Sequence, residues 1–337
     1  MFKRIFLFLF ISFSALAIHA QLKWPAVTQT TKPWTRWWWE GSAVNKTDLS
    51  WNLEQYQKAG LGGVEITPIY GVYGYEKQFI NFLSPQWMQM LVHTLNESKR
   101  LGLGVDLANA TGWPFGGPWV TDNDASKTIK WKRWSIKGGE RFTSKIIYYD
   151  EGFVRTANNK RVSADSLLQP VSANKNLQAL ALDQIQFPAK LPLRSLMAYS
   201  NTTKQVLNLA AKVDTSGNLD WTAPGEGEWR VYGLFEGLHG KMVERAAPDG
   251  EGYAIDHFSA TSAKNYFKRF DEAFKGYDIS YLRGFFNDSY EVDDANGQAN
   301  WTPQLLEEFK KRKGYDLQEY LPAFLGNDDS VINSRVI

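Results

Sequence analysis

Residues 101–117 read LGLGVDLANATGWPFGG, and residues 59–70 read AGLGGVEITPIY. In both, a helix-stopping glycine, a leucine and a second glycine lead straight into a short apolar run that ends in polar or aromatic residues. Each follows a helical pattern. NKTDLSWNLEQYQKAG (45–60) puts Leu49, Leu53 and Tyr56 on one face, with Thr47 as expected cap and Gly60 as stop. SPQWMQMLVHTLNESKRLG (84–102) offers Ser84 as cap, Pro85 in the first helical position and Gly102 as stop. A helix, a Gly-Leu-Gly step and a strand that recur at this spacing predict parallel strands joined by helical crossovers.

Working outward, KPWTRWWWEG (32–41) is the strand before the first helix. The same grammar resumes after residue 240, with HFSATSAKNYFKRFDEAFKG (257–276) as a helix and RGFFNDSYEV (283–292) as a fourth strand. TPQLLEEFKKRKG (302–314) is the next helix, with Thr302 as its expected cap. Between these halves the pattern changes. TIKWKRWSI (128–136) and EWRVYGLFEG (228–237) alternate at period two, and VLNLAAKVDTSGNLDW (206–221) holds a turn-rich centre. The expected organisation is a βα domain over 21–124 and 241–337, interrupted by an all-β insertion over 125–240. Four βα units are half of a (β/α)8 TIM-barrel-type domain, so the barrel is expected to be incomplete in this chain, which breaks off at GNDDSVINSRVI (326–337).

Composition narrows the partners. With 38 basic and 36 acidic residues and a net charge of +2, the chain has no long-range field for nucleic acid. Aromatics reach 15%, including 14 Trp, and indole faces either fill cores or stack on sugar rings. MFKR, then IFLFLFISFSALAI, then Ile18-His19-Ala20 form an export signal over 1–20, which implies a periplasmic or extracellular protein. No later stretch predicts a membrane span. The absence of cysteine excludes thiol nucleophiles and thiolate metal sites.

In a parallel βα barrel the active site lies at the carboxyl ends of the strands. There the sequence offers Trp38, Trp39 and Glu40, then Glu65, then Asp106, Asn109 and Trp113, and finally Asn287, Asp288 and Glu291; His257 is a further binding candidate. Any one acid is as readily a solvated loop residue, and one or two rings of the triple Trp are expected in the core. Four strand ends converging on polar groups favour a carbohydrate site. Glycoside hydrolysis needs one carboxylic acid to protonate the leaving oxygen and a second carboxylate. Glu291, after an apolar strand and beside Tyr290, suits the acid role. The oxygen-rich set also suits Ca²⁺, although no EF-hand spacing defines a site.

KPWTRWWWEG, AGLGGVEI, LGLGVDLANATGWPFGGPWV, and FFNDSYEV followed by ANWTPQLLEEFKKRKGYDLQEYLPA resemble glycoside hydrolase family 106, the bacterial α-L-rhamnosidases. The resemblance covers nearly all of the chain after the signal and is weakest in the β insertion. It implies a (β/α)8 catalytic domain with β-domains, inverting removal of terminal α-L-rhamnose from an oligosaccharide or polysaccharide, and a Ca²⁺ ion that helps hold the sugar. Glu291 matches the family's general acid. No position before Ile337 matches the general base, so the 337-residue chain alone is expected to be inactive. A sugar-binding protein without catalysis and a retaining barrel glycosidase are the alternatives. Asn287 and Glu291 are not adjacent, which weighs against the second.

Overall fold

The structure, a computed structural model, describes residues 25–156, 161–163, 182–292 and 297–326. The expected export signal (1–20) and residues 327–337 of the tail lie outside the described residues. The chain begins with strand β1 (Trp34–Glu40), helix α1 (Lys46–Lys58), β2 (Gly63–Ile69), α2 (Pro85–Leu101) and β3 (Gly104–Ala108). It then runs through β4 (Lys127–Lys137), β5 (Phe153–Thr156), β6 (Arg161–Val162), β7 (Leu182–Gln186), β8 (Leu193–Ser200), β9 (Val206–Asn208) and β10 (Glu228–Leu238). Helix α3 (Ala260–Phe274), strand β11 (Leu282–Phe286) and helix α4 (Leu305–Lys313) follow.

Local chemistry accounts for most of the boundaries. Ser84 accepts a hydrogen bond from the Trp87 amide, Pro85 opens α2, and Gly102 closes it in the left-handed conformation, as predicted. Helix α1 differs. Its cap is Asn45, whose side chain accepts from the Asp48 amide, rather than Thr47, because Asn45 already occupies the extended position one turn ahead of that amide. The last helix also starts later than Thr302 predicts. Thr302 is buried and its carbonyl accepts the Leu305 amide in a turn, so α4 begins at Leu305.

Strands β1, β2, β3 and β11 form a parallel sheet in that order. It is an open sheet among the described residues, with β1 and β11 each paired on one side. The architecture shown is therefore mixed α/β, and a closed barrel is not shown. The apolar sequence of the fourth strand does not make it a buried one. In β11, Phe285 and Phe286 are 45% and 38% exposed because the strand has a neighbour only on the β3 side.

The two faces of this sheet have different chemistry. Trp37, Trp39, Val64, Ile66, Val105 and Leu107 face the helices and join Leu49, Leu53, Trp87, Leu91, Tyr266 and Phe270 in the largest core. Trp39 packs edge-on against Trp37 and tilted against Trp87, at 5.9 and 5.7 Å between ring centroids. Each such fully buried side chain contributes about 1.5–3 kcal/mol. Period two sends the alternate residues of β1, Trp34, Arg36, Trp38 and Glu40, to the opposite face. There the Trp34 indole lies directly on the backbone of Gly104, where any Cβ would collide with the ring. This contact gives the second glycine of the Gly-Leu-Gly step its physical role.

The segment between β3 and β11 carries a four-stranded antiparallel sheet in the order β9-β8-β10-β4. Strands β4 and β10 pair over their whole length, from Lys127 opposite Leu238 to Lys137 opposite Glu228, so the chain leaves and returns at one place. A smaller sheet, β6-β5-β7, lies beside it. Trp301, downstream of β11, is buried among Ile129, Tyr232 and Leu234, and its indole N–H donates to Glu236 Oε2 at 2.8 Å.

Candidate active site

The face of the parallel sheet opposite the helices bears an ionic layer. In register, Arg36 of β1, Glu65 of β2 and Asp106 of β3 stand side by side. Arg36 Nε lies 3.2 Å from Glu65 Oε1, and its Nη1 donates to Asp288 Oδ2 at 3.0 Å, linking the first strand to the loop after the last. Thr67 donates to the same Glu65 oxygen at 2.9 Å. Burial raises the Glu65 pKa, and the Thr67 hydrogen bond and Arg36 pull it back. Arg283, set in a bulge of β11, grips Asp106 with both Nε (2.8 Å) and Nη2 and lies 4.0 Å over the Trp34 ring. Phe286 lies beneath the Arg36 guanidinium at 5.1 Å.

One step further along the strands the amides meet. Asn109, nearly fully buried, donates its backbone N–H to the Phe286 carbonyl at 3.0 Å and donates through Nδ2 to Asn287 Oδ1 at 3.4 Å. The buried Tyr266 hydroxyl donates to the Asn109 carbonyl at 2.7 Å, so α3 fixes this corner from below. Asn109, Asn287, Asp288, Glu65 and Asp106 thus come together, but Glu65 and Asp106, expected at strand ends, stand third in β2 and β3 and reach the cluster because period two sends them to this face. Trp38, 52% exposed, shares the face with Arg36, and Glu40 follows it at the strand end, also exposed. Trp39 is not brought to this face; it lies 1% exposed in the helix-side core.

Trp113 sits in the loop after β3. Its backbone exchanges two hydrogen bonds with Glu244, at 3.3 and 2.9 Å, and its ring lies 4.9 Å from the guanidinium of Arg245. Arg245 also lies over Tyr70, the residue that follows β2, and donates to its hydroxyl. Beneath this pair, the fully buried Lys241 is held between Asp183 (2.8 Å) and Glu244, and Asp183 also pairs with Arg155 at 2.7 Å. Burial raises the Glu244 pKa against the pull of Lys241.

Glu291 is half-buried in the loop after β11, in the left-handed region at φ 24°. Its neighbour Tyr290 packs edge-on against His257, with ring centroids 4.9 Å apart, and the other side of His257 meets Phe115 at 4.7 Å. Burial pushes the His257 pKa down to about 4, so its imidazole is neutral at physiological pH. The His257 ring thus packs between Phe115 and Tyr290 of the Glu291 loop.

Sequence reasoning passed over Arg36, Arg245, Arg283, Lys241 and Glu251. Glu251 is 5% exposed, its Oε1 finds no partner among the described residues, and burial pushes its pKa up to about 7. Arg36 could have been found, since it stands two residues before Trp38 in TRWWW and so shares its face. Arg283 depends on a bulge in β11, and Arg245 and Lys241 on bonds between distant segments, none of which leaves a local signal.

The sequence profile of glycoside hydrolase family 106, described as alpha-L-rhamnosidase, matches residues 26–181 and 191–335. A protein of Formosa agariphila named "Putative beta-glucuronidase" is 25% identical over 306 residues, which cover 87% of this chain and 25% of that protein. A solved rhamnosidase from Novosphingobium sp. PP1Y superposes with a TM-score of 0.60 at 18% identity, over 88% of this chain and 42% of its own, and shows a shared fold. The chain thus spans about a quarter of the length of the curated relative.

Proposed function

Because this chain belongs to glycoside hydrolase family 106, the α-L-rhamnosidase family, we propose that it is the strand-end portion of an active site that removes terminal α-L-rhamnose with inversion. The supporting observation is one face of the four parallel strands, where Arg36 pairs with both Glu65 and Asp288 and, just past the carboxyl ends of β3 and β11, Asn109 donates to Asn287. In this reading the strands are consecutive members of a (β/α)8 barrel, whose interior face is the ionic layer.

Glu291 protonates the glycosidic oxygen as the bond to the anomeric carbon breaks, and water attacks from the opposite face. Inversion requires a base carboxylate roughly 6.5–9.5 Å from the acid. Glu65, Asp106 and Asp288 are paired with Arg36 and Arg283, which suits them to fixing sugar hydroxyls and leaves the base role to another carboxylate. Asn109 and Asn287 present amide donors and acceptors to the ring, and Trp38 offers an exposed indole face. The Ca²⁺ that the family implies would need additional oxygen donors. Among the described residues no three His, Cys, Asp or Glu side chains gather as a metal site, so no step is routed through an ion. The substrate is a rhamnose-bearing glycan. The basic and then apolar amino terminus supports export, and no described helix is long and apolar enough to cross a membrane.

The test is rhamnose release by the full-length protein from an unactivated α-L-rhamnoside, with proton NMR of the first-formed anomer. Glu291→Gln is expected to abolish release; full retention would remove Glu291 from the acid role. Binding of rhamnose without any product would favour the non-catalytic reading.

A further inference from the structure

The geometry points to Arg245 as the recognition group for an anionic substituent, a carboxylate or a sulfate ester, on the sugar next to the rhamnose. This rests on the rhamnoside reading above and specifies the substrate class.

Three arginines stand on this face of the sheet or in the loops beyond it, and two are neutralised: Arg36 by Glu65 and Asp288, Arg283 by Asp106. Arg245 makes no ion pair among the described residues. Glu244, beside it in sequence, is turned to Lys241, and Lys241, Arg155, Asp183 and Glu244 together form a cluster of two cations and two anions with no net charge to spare. Asp249, four residues on, makes no ion pair with Arg245. Among the described residues the guanidinium therefore has no counter-charge, and a sugar anion would supply one.

Its position is fixed, which separates it from an ordinary solvated arginine. The guanidinium lies against both the Trp113 ring (4.9 Å) and the Tyr70 ring (5.6 Å) and donates to the Tyr70 hydroxyl. The backbone is held as firmly. Arg245 has a left-handed φ of 61°, its carbonyl accepts the Tyr70 amide at 2.8 Å, and Gly112 approaches the Glu244 carbonyl so closely that a Cβ there would collide with it. A non-glycine residue kept in that conformation by its surroundings is a mark of positioning. A planar guanidinium held against aromatic rings, with one N–H on the Tyr70 hydroxyl, has further N–H groups to offer a carboxylate or sulfate. Tyr70 follows the last residue of β2 and Trp113 lies in the loop after β3, so Arg245 is held past the carboxyl ends of the same parallel sheet whose β3 and β11 end at Asn109 and Asn287.

The experiment is calorimetric binding to the full-length protein carrying Glu291→Gln, so that turnover does not intervene. The probes are α-L-rhamnosyl-glucuronic acid, α-L-rhamnosyl-glucose 6-sulfate, neutral α-L-rhamnosyl-glucose, and glucuronic acid alone. At least one acidic disaccharide is expected to bind about ten-fold or more tighter than the neutral one. The advantage should shrink with added salt, vanish in Arg245→Gln and return in part in Arg245→Lys. Whether carboxylate or sulfate gives the larger gain identifies the anion. Equal binding of acidic and neutral rhamnosides, or an acidic preference that survives Arg245→Gln, overturns the assignment and leaves the rhamnoside reading intact. If no rhamnoside binds, that reading falls; salt-sensitive binding of glucuronic acid lost in Arg245→Gln would then uphold the anion site, and its absence would refute it.

Discussion

Asn109 and Asn287 touch side chain to side chain at 3.4 Å although 178 positions separate them. Each follows the last residue of its strand, β3 or β11, so their contact measures whether the two strand ends are in register. Asn109→Ala removes one of the two amides and leaves the Tyr266 bond, which goes to the Asn109 backbone carbonyl. Rhamnoside affinity is expected to fall about ten-fold by calorimetry, with little change in melting temperature. Undiminished affinity would take the amide pair out of the sugar site.

Trp34 resting on Gly104 gives a prediction about packing. Gly104→Ala introduces a methyl where the indole already lies, and overpacking of this kind costs about 1–3 kcal/mol. Chemical denaturation should show the loss, and Trp34→Leu in the same chain should recover part of it, since the two changes share one contact.

Lys241 is fully buried between Asp183 and Glu244. Lys241→Met takes the cation from the buried Asp183 and the half-buried Glu244, with Arg155 still paired to Asp183, and a cost of about 3–5 kcal/mol is expected. The deficit should shrink as pH falls, because protonation then relieves Glu244, whose pKa burial already raises.

Glu251 yields a pH dependence of defined sign. Its folded pKa of about 7 lies above the ordinary value of 4.5, so the folded state holds the proton more tightly than the unfolded one. Stability from this group is therefore complete below pH 4.5, erodes as pH rises, and is lost above pH 7. Glu251→Gln keeps the neutral form at every pH. It should melt like the parent at pH 4 and gain up to about 3 kcal/mol at pH 8; an equal difference at both pH values would contradict the assignment.

The βα grammar was legible because its signals are local. Ser84, Pro85 and Gly102 act within one or two turns, and period two alone separates Trp37 and Trp39 from Arg36 and Trp38. Competing local signals produced the errors at Thr47 and Thr302, where a nearby residue or turn satisfied the same amides first. The meeting of Asn109, Asn287 and Asp288 could be anticipated from strand ends, since parallel strands deliver them to one edge, whereas Glu65 and Asp106 lie mid-strand and join them through period two. Their neutralisation by Arg36 and Arg283 could not, because it depends on sheet register and on a bulge in β11. Arg245 and Lys241 are set by loop-to-loop bonds across distant segments, which leave no period to read.

Strands β4 and β10 run side by side from Lys127 opposite Leu238, and this changes the folding arithmetic of the parallel sheet. A free tether between β3 and β11 would charge the sheet the closure entropy of its full length, a term that grows with the logarithm of that length. Once the β4–β10 ribbon has zipped, its two ends are already neighbours, and only the flanking stretches remain to be ordered. The insertion thus acts as a splint that shortens the search by which Asn287 finds Asn109, and a tight turn grafted from Lys127 to Leu238 would leave that search no longer.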